Sequence, residues 1–300
     1  MAINKKYRET IEQIRLDSEQ YADAQMQGIY QDQNNKLDEV HAMIGLIYIK
    51  YAIKGLLNLS GNQKNTILKD VQAKLTKITK ELGNAEVDKI SKILGDTYKD
   101  TYYKNSFIFD KLGISSNFSI LKKEFIAVEI NREYLDETFS DRIWNNKQSM
   151  MDKLYNLIKD ASTGGTTIDQ IGKQIKDAFA IQAYESRRLV RTEVARNAVD
   201  SQLQAGKNAG CKQVMWSATL DDKTAEYDAS LDGKVWGIDE DHPQPVYDTH
   251  PNCRCVLINI PYEGWQPSKR LDNETRELID YKTYDEWLKD KGINDNEVTD

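Results

Sequence analysis

The chain has 300 residues, 39% hydrophobic and 30% charged, with 16 Gly and 5 Pro, so it has apolar content for a real core and does not read as disordered. Its net charge of −7 is uneven: residues 221–300 hold 20 acidic against 9 basic residues, leaving 28 acidic against 32 basic in residues 1–220. That balance disfavours a coat for duplex DNA, which would be basic throughout; the lack of any run of about 18 apolar residues leaves no transmembrane helix to expect.

Residues 7 to 60 read as mostly helix. Ile11, Ile14, Ala22 and Met26 give a loose apolar face. The segment from Ala42 to Ile53 is denser in apolar residues and reads as helix covered on several sides. Ser60-Gly61-Asn62 ends it. In residues 63–94, Ile67, Leu68, Val71, Leu75, Ile78 and Leu82 recur at helical steps, with Gly83 and Gly95 as weak points or ends. Helix is expected to resume through Tyr98 towards Ile108, and Gly113 with Ser115-Ser116 to interrupt it. Leu121 to Phe139 is ambiguous. Ile143 to Ile158 returns to a helical rhythm.

Ala161-Ser162-Thr163-Gly164-Gly165 is the clearest hinge. Thr167 with Gln170 fits a capping box for a helix running to about Phe179. A second helix is expected from Ala183 to Ala205, and after Gly206 and Gly210 the period changes. Strands are expected at Lys212–Ala218, Lys234–Trp236 and Cys255–Ile260, with Asp232-Gly233 as a turn. Tyr281 to Leu288 reads as a short amphipathic helix and Gly292 to Asp300 as a solvated end. The expected fold class is α+β: a long, mainly helical N-terminal region (1–160), a small module of two helices packed on a short antiparallel sheet (161–265), and an acidic C-terminal tail (266–300).

The start of the chain lacks the apolar stretch of a secretory signal, and three cysteines make no disulfide framework, so a reducing compartment is expected. Two of those cysteines fall in the run His250-Pro251-Asn252-Cys253-Arg254-Cys255. His250, Cys253 and Cys255 supply three metal ligands, with Asp228 and His242 the nearest further donors and Asp248 and Cys211 behind them; zinc accepts such mixed ligands. The other reading makes the cysteines buried small hydrophobes, with His250 capping a turn and Arg254 paired to an acidic neighbour. Arg191-Thr192-Glu193 lies inside a helix, where Glu193 is placed to pair with one of the arginines around it. An active site would need Glu193, Asp228 and His250 to converge. Phosphate-cradling loops, dinucleotide-binding glycines, His-Glu-x-x-His and Gly-x-Ser-x-Gly are all lacking. No enzymatic activity is therefore expected.

An ordered series of segments carries a family resemblance. Arg191-Thr192-Glu193 comes first, with Ala195 and Asn197 following. Trp216 and then Asp222-Lys223-Thr224 come next. Leu231-Asp232-Gly233-Lys234-Val235 follows, and His250-Pro251-Asn252-Cys253-Arg254-Cys255-Val256-Leu257 closes it. In this series, from about Thr167 to Pro261, the chain resembles the phage minor head protein family. The resemblance marks Arg191, Glu193, Trp216, Asp222, Thr224, Asp232, Gly233, Pro251 and Arg254 as the structural motif, and Asp228, His250, Cys253 and Cys255 as the metal set, with zinc the candidate cofactor. Where many members carry two cysteines three apart, this chain has Ala225 and Asp228. The resemblance implies a minor virion protein inside the head near the portal, in host cytoplasm during assembly. It further implies portal protein as partner, scaffold or major capsid protein as others, packaged DNA contacted without sequence specificity, and no membrane in the assembled head. A role in head assembly, genome packaging or DNA delivery follows from it. The alternative is a metal-dependent nuclease or a toxin-type nucleotide transferase.

Overall fold

The computed structural model describes residues 2–111, 114, 120–262, 264–265, 269–275 and 277–292. The break expected at Gly113 and Ser115-Ser116 lies outside the described residues, as does the tail from residue 293. Helix dominates, with small antiparallel sheets confined to short stretches. None of the described helices is long and apolar enough to cross a membrane.

The elements in chain order are α1 (Ala2–Tyr51), β1 (Ala52–Ile53), β2 (Leu56–Leu57), α2 (Gly61–Lys111), α3 (Lys123–Ile130), α4 (Phe139–Ala161) and α5 (Ile168–Asn208). Then come β3 (Gln213–Ser217), α6 (Glu226–Ser230), β4 (Val235–Gly237), β5 (Val256–Ile260), β6 (Lys269–Asp272), β7 (Glu277–Asp280) and α7 (Tyr284–Lys291). Their residues fall into two compact units.

One unit comprises residues 23–92 and 131–190. Its core joins Val40, Ile44 and Tyr48 of α1, Val71, Leu75, Ile78 and Leu82 of α2, Met150, Leu154 and Ile158 of α4, and Ile171, Ile175 and Phe179 of α5. The steps of three and four within each set place them on one face of each helix. α4 begins with a capping box between Thr138 and Asp141. The Thr167–Gln170 box also forms: Thr167 N donates to Gln170 Oε1 at 2.9 Å, and Gln170 N donates to Thr167 Oγ1 at 3.3 Å. Inside this unit Lys147 and Glu86, both buried, pair at 2.5 Å, and Ser186 donates to the other Glu86 oxygen at 2.7 Å.

The helices here depart from the sequence expectation in three places. α1 stops at Tyr51, because Lys54 and Gly55, both with positive φ, close the β1–β2 hairpin. α2 passes through Gly83 and Gly95 without a break. The expected boundary between Phe179 and Ala183 is absent, and α5 is one continuous helix. Tertiary packing outweighs the roughly 1 kcal/mol that an interior glycine costs.

The other unit comprises residues 1–22, 93–130 and 191–300. Its three-stranded antiparallel sheet has the order β4-β3-β5. β5 is buried along its whole length and pairs Trp216 with Leu257 and Val214 with Asn259. β6 and β7 form an antiparallel pair. α7, capped by Thr283 and Glu286, buries Tyr284, Trp287 and Leu288 against Leu220.

Candidate metal centre

The loop ahead of β5 carries the site. Asn252 adopts a positive φ of 64°, and Cys253 N donates to His250 O at 3.2 Å, so the chain turns tightly at Pro251-Asn252. The backbone then extends into β5. Alternate side chains of an extended segment point to opposite sides. Cys253 and Cys255 therefore turn inward and are buried, whereas Arg254 between them turns out. Arg254 clamps both oxygens of Asp221, with Nη2 to Oδ1 at 2.9 Å. Burial opposes the Asp221 charge, but the Arg254 guanidinium outweighs it and lowers the carboxyl pKa.

Asp228 enters from α6, which starts after Ala225 with no side-chain cap. Its Oδ2 gathers three donors: His250 Nε2 at 3.0 Å, Cys253 Sγ at 3.4 Å and Cys255 Sγ at 3.6 Å. The ligand atoms of Asp228, Cys253 and Cys255 lie within 4.8 Å of one another. Asp228 is 2% exposed, and its Oδ1 is buried with no hydrogen-bond partner. A buried carboxylate oxygen left bare is costly.

The thiols are not equivalent. A hydrogen bond from Cys255 outweighs burial and lowers the Cys253 pKa to about 7, whereas the same bond together with burial raises Cys255 well above its usual value. Burial works against protonation of His250, yet the Pro251 carbonyl and the negative charges of Cys253 and Asp228 raise its pKa. The cluster thus gathers a carboxylate and two thiols, with a half-exposed imidazole at its rim. A divalent cation with affinity for sulfur, nitrogen and oxygen fits that donor set.

The remaining motif residues stand around this centre. Trp216 is fully buried; its backbone N–H donates to Lys234 O, and Gly233 N donates to Trp216 O. Asp232 and Arg270 form a buried pair, and Asp232 also accepts from Ala218 N and Tyr284 N, each at 2.8 Å. Gly233 has a φ of 76°, which the turn after Asp232 requires. Thr224 donates to Thr219 O and to Asp221 Oδ1. Asp222, Pro251 and Arg191 are exposed. Glu193 is buried and held by Arg196 at 2.9 Å; Arg196 also binds Asp200 and Tyr247. Asp228 and His250 meet, while the cluster that gathers Asp228 does not include Glu193. His242 donates from Nδ1 to Pro243 O and stacks on Trp236, Asp248 accepts from Gln244 N, and Cys211 is a buried thiol; none of the three joins the cluster among the described residues.

Two contributors have no sequence signal of their own. Asp221, not its neighbour Asp222, takes Arg254. Arg15 of α1 donates to Cys253 O at 3.3 Å and to Ala195 O at 3.0 Å, bracing the cysteine loop from 238 positions away.

Residues 152–258 match the family model described as "Phage Mu protein F like protein". The chain is 24% identical over 278 residues to the "Minor head protein GP7" of Bacillus phage SPP1, covering 86% of this chain and 89% of that protein. It is 27% identical over 199 residues to the "NAD(+)--arginine ADP-ribosyltransferase EFV" of Enterococcus faecalis, covering 61% of this chain and 40% of that one. An uncharacterized protein of Haemophilus influenzae is 30% identical over 120 residues, covering 38% and 26%. No solved structure matches significantly.

These findings correct one expectation. A chain without enzymatic activity was expected because familiar catalytic signatures are lacking. The similarity to an ADP-ribosyltransferase, together with the buried Asp228–Cys253–Cys255 group, overturns that expectation and leaves catalysis open.

Proposed function

We propose that this chain is a phage minor head protein, a minor virion protein of the phage head that acts in head morphogenesis. The observation that carries this is the likeness to a minor head protein along nearly the full length of both chains. At a finer level, portal protein is the partner and the interior of the head the location. Scaffold or major capsid protein and packaged DNA are secondary contacts. Its contribution falls in head assembly, genome packaging or DNA delivery. The acidic balance of residues 221–300 supports a protein surface rather than a phosphate backbone as the contact of that end. Removing the gene from its phage tests this: heads that form but infect poorly, with the protein otherwise sedimenting with portal-bearing procapsids, are expected. Normal infectivity and no association with heads would sink the reading.

In the same reading the Asp228–His250–Cys253–Cys255 group holds zinc. Two sulfurs, one imidazole nitrogen and one carboxylate oxygen make the four donors a tetrahedral structural zinc takes. Asp228, His250, Cys253 and Cys255 would hold the ion, which would supply positive charge to a buried carboxylate with one oxygen lacking a hydrogen-bond partner. The chain's own part is to present those donors: α6 brings the carboxylate, the turn at Asn252 brings His250, and Arg15 fixes the Cys253 carbonyl. Elemental analysis of wild type and of Cys253→Ala/Cys255→Ala decides it. One zinc per chain, absent from the double variant, is expected; metal-free wild type would end the assignment.

A toxin-type nucleotide transferase is the second reading, favoured by the Enterococcus faecalis match together with the buried Asp228–Cys253–Cys255 group. The chain spans less than half of that protein's length. Transfer from labelled NAD+ to an arginine-bearing acceptor, abolished by Asp228→Ala, would support it. No transfer with the metal-loaded protein would remove it.

A further inference from the structure

The end of α1 is built as though something covers it. Val40, Ile44 and Tyr48 face inward and are buried. The opposite side is apolar too: Leu46 is 68% exposed, Ile49 83% and Ile53 59%. Leu46 and Ile49, three apart, share one side of α1, and Ile53 follows, exposed, in β1 of the hairpin. The sequence of this segment reads as helix covered on several sides, and this unit covers only one.

The hairpin ties the bare side to the rest of the unit. Ala52 pairs with Leu57 and Ile53 with Leu56 around the two-residue Lys54-Gly55 turn. Leu57 is buried, Leu56 bridges to Thr167, and Tyr48 Oη donates to Thr166 O at 2.7 Å. The apolar side chains are thus presented at little further entropic cost.

Charge points to the occupant. Residues 40–69 contain four lysines (Lys50, Lys54, Lys64 and Lys69) and no Asp or Glu, in a chain whose net charge is −7. Lys50 and Lys54 are exposed and flank Ile53. The tip carries Leu, Ile and Lys, and none of the exposed Trp or Arg anchors that dominate protein–protein hot spots. Aliphatic side chains that reach the acyl boundary, beside lysines whose stems extend to anionic headgroups, fit a lipid interface.

We propose that the tip formed by Leu46, Ile49, Ile53 and Leu56, flanked by Lys50 and Lys54, docks on an anionic lipid surface. This activity lies outside the head-assembly reading and does not depend on it. The full 300-residue protein is sedimented with vesicles of phosphatidylcholine and of phosphatidylcholine mixed with phosphatidylglycerol. Binding to the mixed vesicles alone is expected. Lys50→Gln/Lys54→Gln weakens it by about 25-fold, about fivefold per lysine near a charged surface. Ile49→Asp/Ile53→Asp abolishes it, with circular dichroism unchanged because both side chains are solvent-exposed. Equal binding to both vesicle types, no binding to either, or unaltered binding by the Ile variant overturns the proposal. So does lipid-free self-association that Ile49→Asp disperses, since the occupant would then be a second copy.

Discussion

His250 Nε2 lies 3.0 Å from Asp228 Oδ2, and the two residues differ sharply in burial: Asp228 is sealed in, while His250 stands half open at the rim. Removing them should therefore have unequal effects. His250→Ala leaves the two thiols and the carboxylate in place, so metal binding weakens but persists. Asp228→Ala removes the group that all three others address, so binding is lost. If the group holds zinc as proposed, stripping it with a chelator lowers the melting temperature of wild type. An ion present at a thousand times its Kd adds about 4 kcal/mol, roughly 8 °C or more at about 2 °C per kcal/mol. Calorimetric titration of the three proteins with zinc checks the order; equal affinities for His250→Ala and Asp228→Ala would refute it.

The buried pair Lys147–Glu86 gives a second prediction. Both side chains are almost wholly enclosed, and Ser186 donates to the free Glu86 oxygen. Lys147→Met leaves an unpaired buried carboxylate and should cost about 3–5 kcal/mol. Lys147→Met combined with Glu86→Leu should restore most of that, because apolar groups of similar volume replace a buried ion pair at little cost. Urea denaturation of the two variants measures the difference. A double variant no more stable than the single would contradict it.

Much of the fold is legible from apolar spacing. Ile67 to Leu82 and Met150 to Ile158 mark core faces, and all three strands of the β4-β3-β5 sheet lie within a residue or two of expectation. Local side-chain chemistry is equally readable in the Thr167–Gln170 box. Long-range partners are not. Nothing around Arg15 signals a bond to Cys253, and nothing near Asp221 separates it from Asp222, since turn geometry alone decides which carboxylate faces Arg254. Nor does the apolar density of Ala42–Ile53 reveal that its outer side is left bare, because hydrophobicity reports that a side chain prefers cover and not where the cover is.

Acid should unfold the protein partly through Asp272. Burial works against its charge, but Trp287 Nε1, Lys291 and the backbone N–H groups of Thr275 and Glu274 outweigh it and hold the carboxyl at about 2. Its folded pKa is thus depressed from an unfolded value of about 3.9. The stabilisation is fully present above pH 4 and is lost as pH falls from about 4 through 2, because protonation favours the unfolded chain there. The contribution is about 2–3 kcal/mol. Asp272→Asn removes it, so the stability gap between wild type and variant should shrink as pH drops across that window. A gap that stays constant from pH 6 to pH 2 would show that Asp272 carries no such linkage.

Gly206 and Gly172 sit in the same helix and should respond oppositely to alanine. At Gly206 a Cβ would lie 2.4 Å from Asn259 Cγ and Oδ1. Asn259 is fully buried in β5 and donates to Gln202 O at 2.8 Å, so it has no space into which to retreat. At Gly172 nothing lies within 4 Å of the added carbon. Helix propensity favours alanine at both sites by about 1 kcal/mol. At Gly172 that gain stands alone. At Gly206 it meets overpacking of about 1–3 kcal/mol and the loss of the Asn259 hydrogen bond. Gly172→Ala is therefore expected to raise the melting temperature and Gly206→Ala to lower it. The glycine near the end of α5 thus lets a β-strand side chain approach the helix backbone, whereas Gly210, with φ of 79°, makes the turn that follows. Parallel thermal melts test the assignment: if both variants gain stability, Asn259 is not held against the helix as the packing requires.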